Sequence, residues 1–201
     1  VGSEMCIRDS LGDATVMRVR YCGEGPASEF EYNVVTVDTD GQAPVPQPRL
    51  GNVSSSCGLC GLTTLTDIAT QLDPIRDPVV FKAETVAQVL NTAGSQQEMF
   101  ARTGGLHAAA VFDRSGAVEL IREDIGRHNA VDKIIGRRVL DQEHNSQQLG
   151  LFVSGRASFE MVQKAWSAGF GTLVAVSAPS ALAVELAKTA NMTLVGFARN
   201  D

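Results

Sequence analysis

From Gly150 onward, short apolar runs alternate with helix-patterned stretches, and this alternation restricts the possible folds more than any other feature of the chain. Gly150 to Ser154, Thr172 to Ser177 and Met192 to Phe197 have the composition of strands. Between them, Ser158 to Ala168, stopped by Gly169, and Ser180 to Thr189 have helical spacing. Strands joined through helices in this way run parallel with right-handed crossovers, so the segment predicts a βαβαβ unit in an α/β fold. Ligands of such units bind where strand carboxyl ends meet helix starts. The loops at that edge are Ser154-Gly155-Arg156-Ala157, Ser177-Ala178-Pro179 and Phe197-Ala198-Arg199. Two arginines, small residues and two free helix N-termini suit a phosphate group there.

Upstream, Ala130 or Val131, Ile134, Ile135 and Val139 fall at helical spacing and predict a helix from about Arg127 to Leu140. Ahead of it, His107 to Phe112 and Ala117 to Arg122 read as strands flanking the turn Asp113-Arg114-Ser115-Gly116. A helical pattern begins over Thr85 to Leu90, and Ser95 with Glu98 three residues on predicts a capping box for a second helix that stops at Gly104-Gly105. Nearer the N-terminus, Thr15 to Cys22 and Glu29 to Val37 read as a hairpin around Gly23-Glu24-Gly25-Pro26. Three units follow: 1–10, which has neither strand nor helix periodicity and reads as a non-native segment; 11–83, a partial β-rich domain; and 84–201, an α/β domain.

The stretch 38–56 holds Gly41, three prolines and Ser54 to Ser56, a loop composition that leads into Cys57-Gly58-Leu59-Cys60. Two thiols with this spacing bind metal, cycle between dithiol and disulfide, or carry sulfur as a persulfide. Burial of both is disfavoured in a loop rich in serine and proline. A structural zinc site needs four ligands, and His107, His128 and His144 form no pair at helical spacing. A zinc deaminase needs His-x-Glu ahead of Pro-Cys-x-x-Cys; no histidine here has Glu two residues on, and Ser56 replaces the proline. A thioredoxin-like pair opens a helix after a strand, whereas a loop precedes this one. No permanently bound metal is expected.

The formal charge of −6 and pI near 5.1 argue against a general nucleic-acid binder, so an anionic ligand must be met by a local cluster of basic groups. Four cysteines, two of them adjacent in this way, make no secreted disulfide framework, and a reducing cytoplasm is expected. No apolar run reaches the roughly 18 residues of a membrane span.

Glu123-Asp124-Ile125-Gly126-Arg127-His128-Asn129 is dense in polar groups at a helix start. Capping and a solvated face account for such a run, as does a pocket with Asp124, Arg127 and His128 on one wall. A lone histidine such as His107 is more often structural, but it follows Gly104-Gly105, which lets backbone approach a ligand closely. Arg156 and Arg199 read either as surface charges or, from their place at the sheet edge, as parts of an anion site.

Four stretches taken in order resemble the formate dehydrogenase accessory sulfurtransferase (FdhD) family: Ser56-Cys57-Gly58-Leu59-Cys60-Gly61, Thr103-Gly104-Gly105-Leu106-His107-Ala108-Ala109, Glu123 to Lys133, and Ser154-Gly155-Arg156. The resemblance runs from about Thr15 to Arg199. It implies a larger domain with a cytidine-deaminase-like fold and a homodimer. It implies a sulfurtransferase that accepts persulfide sulfur from a cysteine desulfurase. The sulfur would pass to the molybdenum or tungsten bis-molybdopterin guanine dinucleotide cofactor for insertion into formate dehydrogenase. Cys57 matches the persulfide carrier and Cys60 the second cysteine, which either releases the sulfur by forming a disulfide or stabilises the persulfide. Phe197, Ala198, Arg199, Asn200 and Asp201 match the start of a cofactor-binding stretch, with Arg156, His107, Arg127 and His128 as further candidates. Family members have a longer region before the first hairpin and continue past Asp201, so the smaller domain is expected to be partial. A chaperone that only holds the cofactor, or a dithiol redox protein, are the competing readings.

Overall fold

The computed structural model describes residues 14–21, 35–43, 72–143 and 146–200. Cys57, Cys60, His144 and Asp201 lie outside the described residues, as does the loop leading to the cysteine pair from residue 44 onward. Of the expected first hairpin, antiparallel strands β1 (Arg18–Tyr21) and β2 (Val35–Asp38) are described, and the turn Gly23-Glu24-Gly25-Pro26 lies outside the described residues.

Residues from Ile75 onward build a sheet with helices on both faces. Its elements in chain order are α1 (Ala83–Ser95), α2 (Glu98–Thr103), β3 (His107–Phe112), β4 (Val118–Asp124), α3 (Arg127–Leu140), β5 (Gly150–Val153), α4 (Phe159–Ser167), β6 (Thr172–Ala175), α5 (Ala181–Thr189) and β7 (Thr193–Val195). The strand order is β4-β3-β5-β6-β7. β5, β6 and β7 run parallel, as the alternation from Gly150 predicts, while β3 is antiparallel to both β4 and β5. The α/β class expected from the sequence is the class found.

Strand β3 lies between two partners and is buried along Ala108 to Phe112, which its run of three alanines permits on both faces. On one face Ala109, Val111, Leu151, Val153 and Leu173 pack against α3, α4 and α5 through Ile134, Met161, Trp166 and Leu186. On the other, Ala110, Phe112, Phe152 and Val174 pack against Val89, Leu90 and Ala93 of α1. The segment 72–82 straps one end of the sheet: Trp166 Nε1 donates to Asp73 O at 2.9 Å, Asn191 Nδ2 to Ile75 O at 2.8 Å and Thr172 Oγ1 to Val79 O at 3.0 Å. Gly150 pairs with Phe112, and a Cβ at Gly150 would stand 2.0 Å from Phe112 Cζ, so the ring occupies the space a side chain would take.

The structure moves several expected boundaries. The first helix begins at Ala83 rather than Thr85 and continues through Ser95. Ser95 therefore ends α1 instead of capping α2; its hydroxyl donates back to Thr92 O at 2.8 Å, an in-helix partner that competes with the cap. Strand β4 reaches Asp124 because Glu123 and Asp124 pair with Ala108 and His107, a ladder that two acidic residues hide from a composition argument. Strand β7 stops at Val195 rather than Phe197. The chain leaves the ladder at Gly196, where an added Cβ would meet Pro179 Cδ at 2.5 Å.

Candidate ligand cleft at the sheet edge

The topology brings scattered sequence motifs to one edge. Strands β5, β6 and β7 end there, antiparallel β3 begins there, and β4 ends there with Asp124 opposite His107. Helices α3, α4 and α5 start at the same edge. Ser154 joins β3 to β5: its N–H donates to Ala108 O and its Oγ accepts from Ala108 N, both at 2.9 Å. The loops then stack, with Ser177 N donating to Gly155 O at 3.3 Å and Phe197 N to Ser177 O at 3.1 Å.

On the α1 side of this edge is a cleft of about 590 Å³. Leu90, Phe100, Leu106, Phe152 and Val176 make its apolar surface, and Gln97, His107, Ser154, Arg199 and Asn200 supply polar groups. None of the described residues that line it is acidic. A mostly apolar pocket with a few convergent polar groups, one of them cationic, suits a flat ring bearing an anionic tail. Arg199 is held in place by its own chain: Nη1 donates to Val176 O at 2.6 Å and to Ala198 O at 3.1 Å. Asn200 Nδ2 donates to Asn91 Oδ1 at 2.7 Å, which fastens the end of the described chain to α1.

Of the residues singled out in the sequence, His107, Ala198, Arg199 and Asn200 line this cleft. Phe197 does not; it is exposed, with a left-handed φ of 53°. Arg156 is exposed on its loop and also lies outside the lining. Arg127 and His128 begin α3, which packs on the opposite face of the sheet. A Cβ at Gly155 would stand 3.5 Å from His107 Nδ1 and 3.6 Å from Arg127 Cδ, so both side chains pack beside this glycine. The single pocket wall expected from Asp124, Arg127 and His128 is thus a junction between β4 and α3. Asp124 Oδ1 accepts from Gly126 N at 2.9 Å and Asn129 Nδ2 at 3.0 Å, and Oδ2 pairs with Lys133 Nζ at 2.6 Å. Burial alone would raise the Asp124 carboxyl, but Lys133 and these donors hold it below the ordinary carboxylate value.

Beneath that junction is a second polar cluster. His128 and Asp132 of α3 are buried, and Lys164 of α4 forms an ion pair with Asp132 in which both side chains are 1% exposed. His128 Nδ1, Asp132 Oδ2 and Gln163 Oε1 are buried without a hydrogen-bond partner among the described residues. Burial, then the charge of Arg127, pushes the His128 pKa down, so the fold holds it neutral. Burial would raise neighbouring Glu160, but the nearby Ser158 hydroxyl, its own backbone N–H and the charge of Arg127 lower it overall. The unfolded chain binds a proton at His128 once pH falls below about 6.5, and the folded chain does so only at lower pH. The unfolded state therefore binds more protons in that window, and stability is lost as pH falls through it. Urea midpoints between pH 7.5 and 5 should fall more steeply for wild type than for His128→Gln; parallel curves would show that His128 titrates alike in both states.

Sequence reasoning missed the apolar half of the cleft and one carboxylate. Leu90, Phe152 and Val176 read as ordinary core positions, because the lining is continuous with the α1-side core. Glu123 caps α2 from 23 and 24 residues away, a distance no local pattern encodes. No helix among the described residues is long and apolar enough to cross a membrane.

Comparison with known proteins agrees with the geometry. The FdhD/NarQ family model matches residues 8–201. The chain is 47% identical over 193 residues to the sulfur carrier protein FdhD of Streptomyces coelicolor, covering 92% of this chain and 68% of that one. It is 44% identical over 189 residues to the sulfur carrier protein FdhD of Nocardia farcinica, covering 92% and 67%. Among solved structures, a protein described as a formate dehydrogenase accessory protein of Desulfotalea psychrophila superimposes with a TM-score of 0.58 at 27% identity, covering 64% of this chain and 57% of that one. The chain belongs to the FdhD/NarQ family.

Proposed function

We propose that this chain is a sulfur carrier for formate dehydrogenase maturation, and that its cleft receives a guanine nucleotide portion of the molybdenum cofactor that accepts the sulfur. The observation that carries the reading is the cleft itself: an apolar slot at the carboxyl edge of parallel strands, with Arg199 and His107 in its lining and no carboxylate among the described lining residues. It lies in the size range of small-ligand pockets, about 300–1,000 Å³. Family membership, with curated relatives named sulfur carriers, supports the transfer step.

In this reading the Cys57 thiolate attacks the outer sulfur of a persulfide on a cysteine desulfurase. The donor's S–S bond breaks, its cysteine leaves as a thiolate, and Cys57 becomes a persulfide with no net oxidation. Attack of the Cys60 thiolate on Cys57 Sγ then releases the outer sulfur as hydrosulfide to the cofactor's metal. It leaves a Cys57–Cys60 disulfide that a dithiol reductant reopens. A homodimer working in the cytoplasm completes the proposal.

The test is mass spectrometry of the intact protein after incubation with a cysteine desulfurase and cysteine. The expected result is a gain of one sulfur, about 32 Da, removed by dithiothreitol. A wild-type protein that gains nothing sinks the transfer reading. The nucleotide part is checked separately by titration with guanosine 5′-diphosphate. Arg199→Ala should weaken binding about tenfold, the scale of one charge-assisted hydrogen bond, with Arg199→Lys intermediate; equal affinity in all three would place the phosphates elsewhere.

A further inference from the structure

Helix α2 is held to the body in an unusual way. It spans Glu98–Thr103, none of its residues is buried, and its N-cap Gln97 makes no side-chain cap. Gln97 instead donates through Nε2 to Ala93 O at 3.3 Å. The free amides at the start of α2 are taken by a carboxylate from the edge strand: Met99 N donates to Glu123 Oε2 at 2.9 Å and Phe100 N to Glu123 Oε1 at 2.8 Å. Both oxygens of one ionised group thus cap the helix, favoured also by the positive end of its dipole. Glu123 is itself fixed, because its backbone pairs with β3 at Ala108 and its carbonyl accepts from Lys133 Nζ of α3 at 2.9 Å.

The other end of α2 is built to turn. Gly104 has φ 65° and ends the helix, and Gly105 follows. Both glycines line the cleft, and a Cβ would meet nothing within 4 Å at Gly104 and only Thr103 O at 3.9 Å at Gly105, so no neighbouring part of the described chain packs against either position. What they supply is backbone freedom. The segment from Gln97 to the glycines contributes Gln97 and Phe100 to the lining of the cleft.

We propose that α2 is a lid hinged at Gly104-Gly105, and that Glu123 is a positioning residue whose carboxylate latches the lid in the position that forms the cleft wall. The proposal rests on the reading of the cleft as a nucleotide site for its functional meaning, but not for its mechanical one. With the latch removed, α2 keeps no buried side chain to hold it, and Phe100 leaves the cleft. Glu123→Gln retains one acceptor oxygen and offers an NH₂ to the second amide, so it should half-latch.

The experiment uses the whole chain and two readouts. Hydrogen exchange resolved at Met99 and Phe100 is measured without ligand, and guanosine 5′-diphosphate affinity is measured by titration. Glu123→Ala should speed exchange at those two amides at least ~10-fold while leaving β5 and β6 protected, and weaken the nucleotide roughly tenfold. Glu123→Gln should fall between and serves in its place if the alanine variant does not fold. Unchanged exchange overturns the latch. Faster exchange with unchanged affinity overturns its role in shaping the site. A wild type that binds no nucleotide removes the ligand reading of the cleft, and the latch then stands or falls on exchange alone.

Discussion

Cys57→Ala abolishes the ~32 Da gain, whereas Cys60→Ala loads sulfur normally and fails to release it; this pair of results is the expected signature of a carrier with an assisting thiol. The argument is chemical. Persulfide transfer needs one thiolate as nucleophile, and serine or alanine cannot replace it because neither holds a sulfane sulfur. A dithiol redox protein would lose activity equally with either substitution and would gain no mass. A chaperone that only holds the cofactor would keep formate dehydrogenase maturation intact in Cys57→Ala. The measurement is intact-protein mass before and after exposure to acceptor, in both variants. Loading that persists in Cys57→Ala would remove Cys57 from the carrier role, and release that proceeds in Cys60→Ala would remove the disulfide step.

Lys164→Ala is expected to destabilise the domain by about 3–5 kcal/mol, among the largest effects of any single substitution outside the cysteine pair. Both members of the Asp132–Lys164 pair are 1% exposed, and Asp132 Oδ2 has no hydrogen-bond partner among the described residues. Deleting the ammonium leaves a carboxylate that is buried without its countercharge. The neutral double variant Asp132→Leu/Lys164→Met tests the origin of the effect. If the penalty is the lone charge, the double variant recovers most of the lost stability, because a buried pair and an apolar pair of similar volume differ little. If the double variant is as unstable as the single one, the pair is itself a stabilising contact. Urea unfolding at pH 7 reads both.

The two effects separate what was legible in the chain from what was not. The parallel part of the sheet was legible because Leu151, Phe152, Val153 and Leu173, Val174, Ala175 are apolar at every position, the pattern of strands covered on both faces. Arg199 could be placed at the ligand edge for the same reason, since topology alone sends strand ends there; His107, which opens a strand, reaches that edge only because β3 runs antiparallel to β5. The Asp132–Lys164 pair gave no such sign. Asp132 sits four residues after His128 and reads as part of a solvated polar face, and only the packing of α3 on α4 buries it. Arg127 and His128 were grouped with Asp124 because a polar run opens a helix there, but position along the chain does not tell which face of the sheet a side chain takes. Glu123 shows the same limit from another side: its partners are fixed by the path of α2 in space.

Phe112 and Gly150 face each other across β3 and β5 with a ring where one of them would have a side chain. Neither can drift alone. A methyl at position 150 needs a smaller residue at 112, and a smaller residue at 112 leaves a void that only a larger one at 150 refills. In descendants of this sequence the two sites should therefore change as a couple or not at all, and a protein in which they differ has crossed a step that single substitutions make costly.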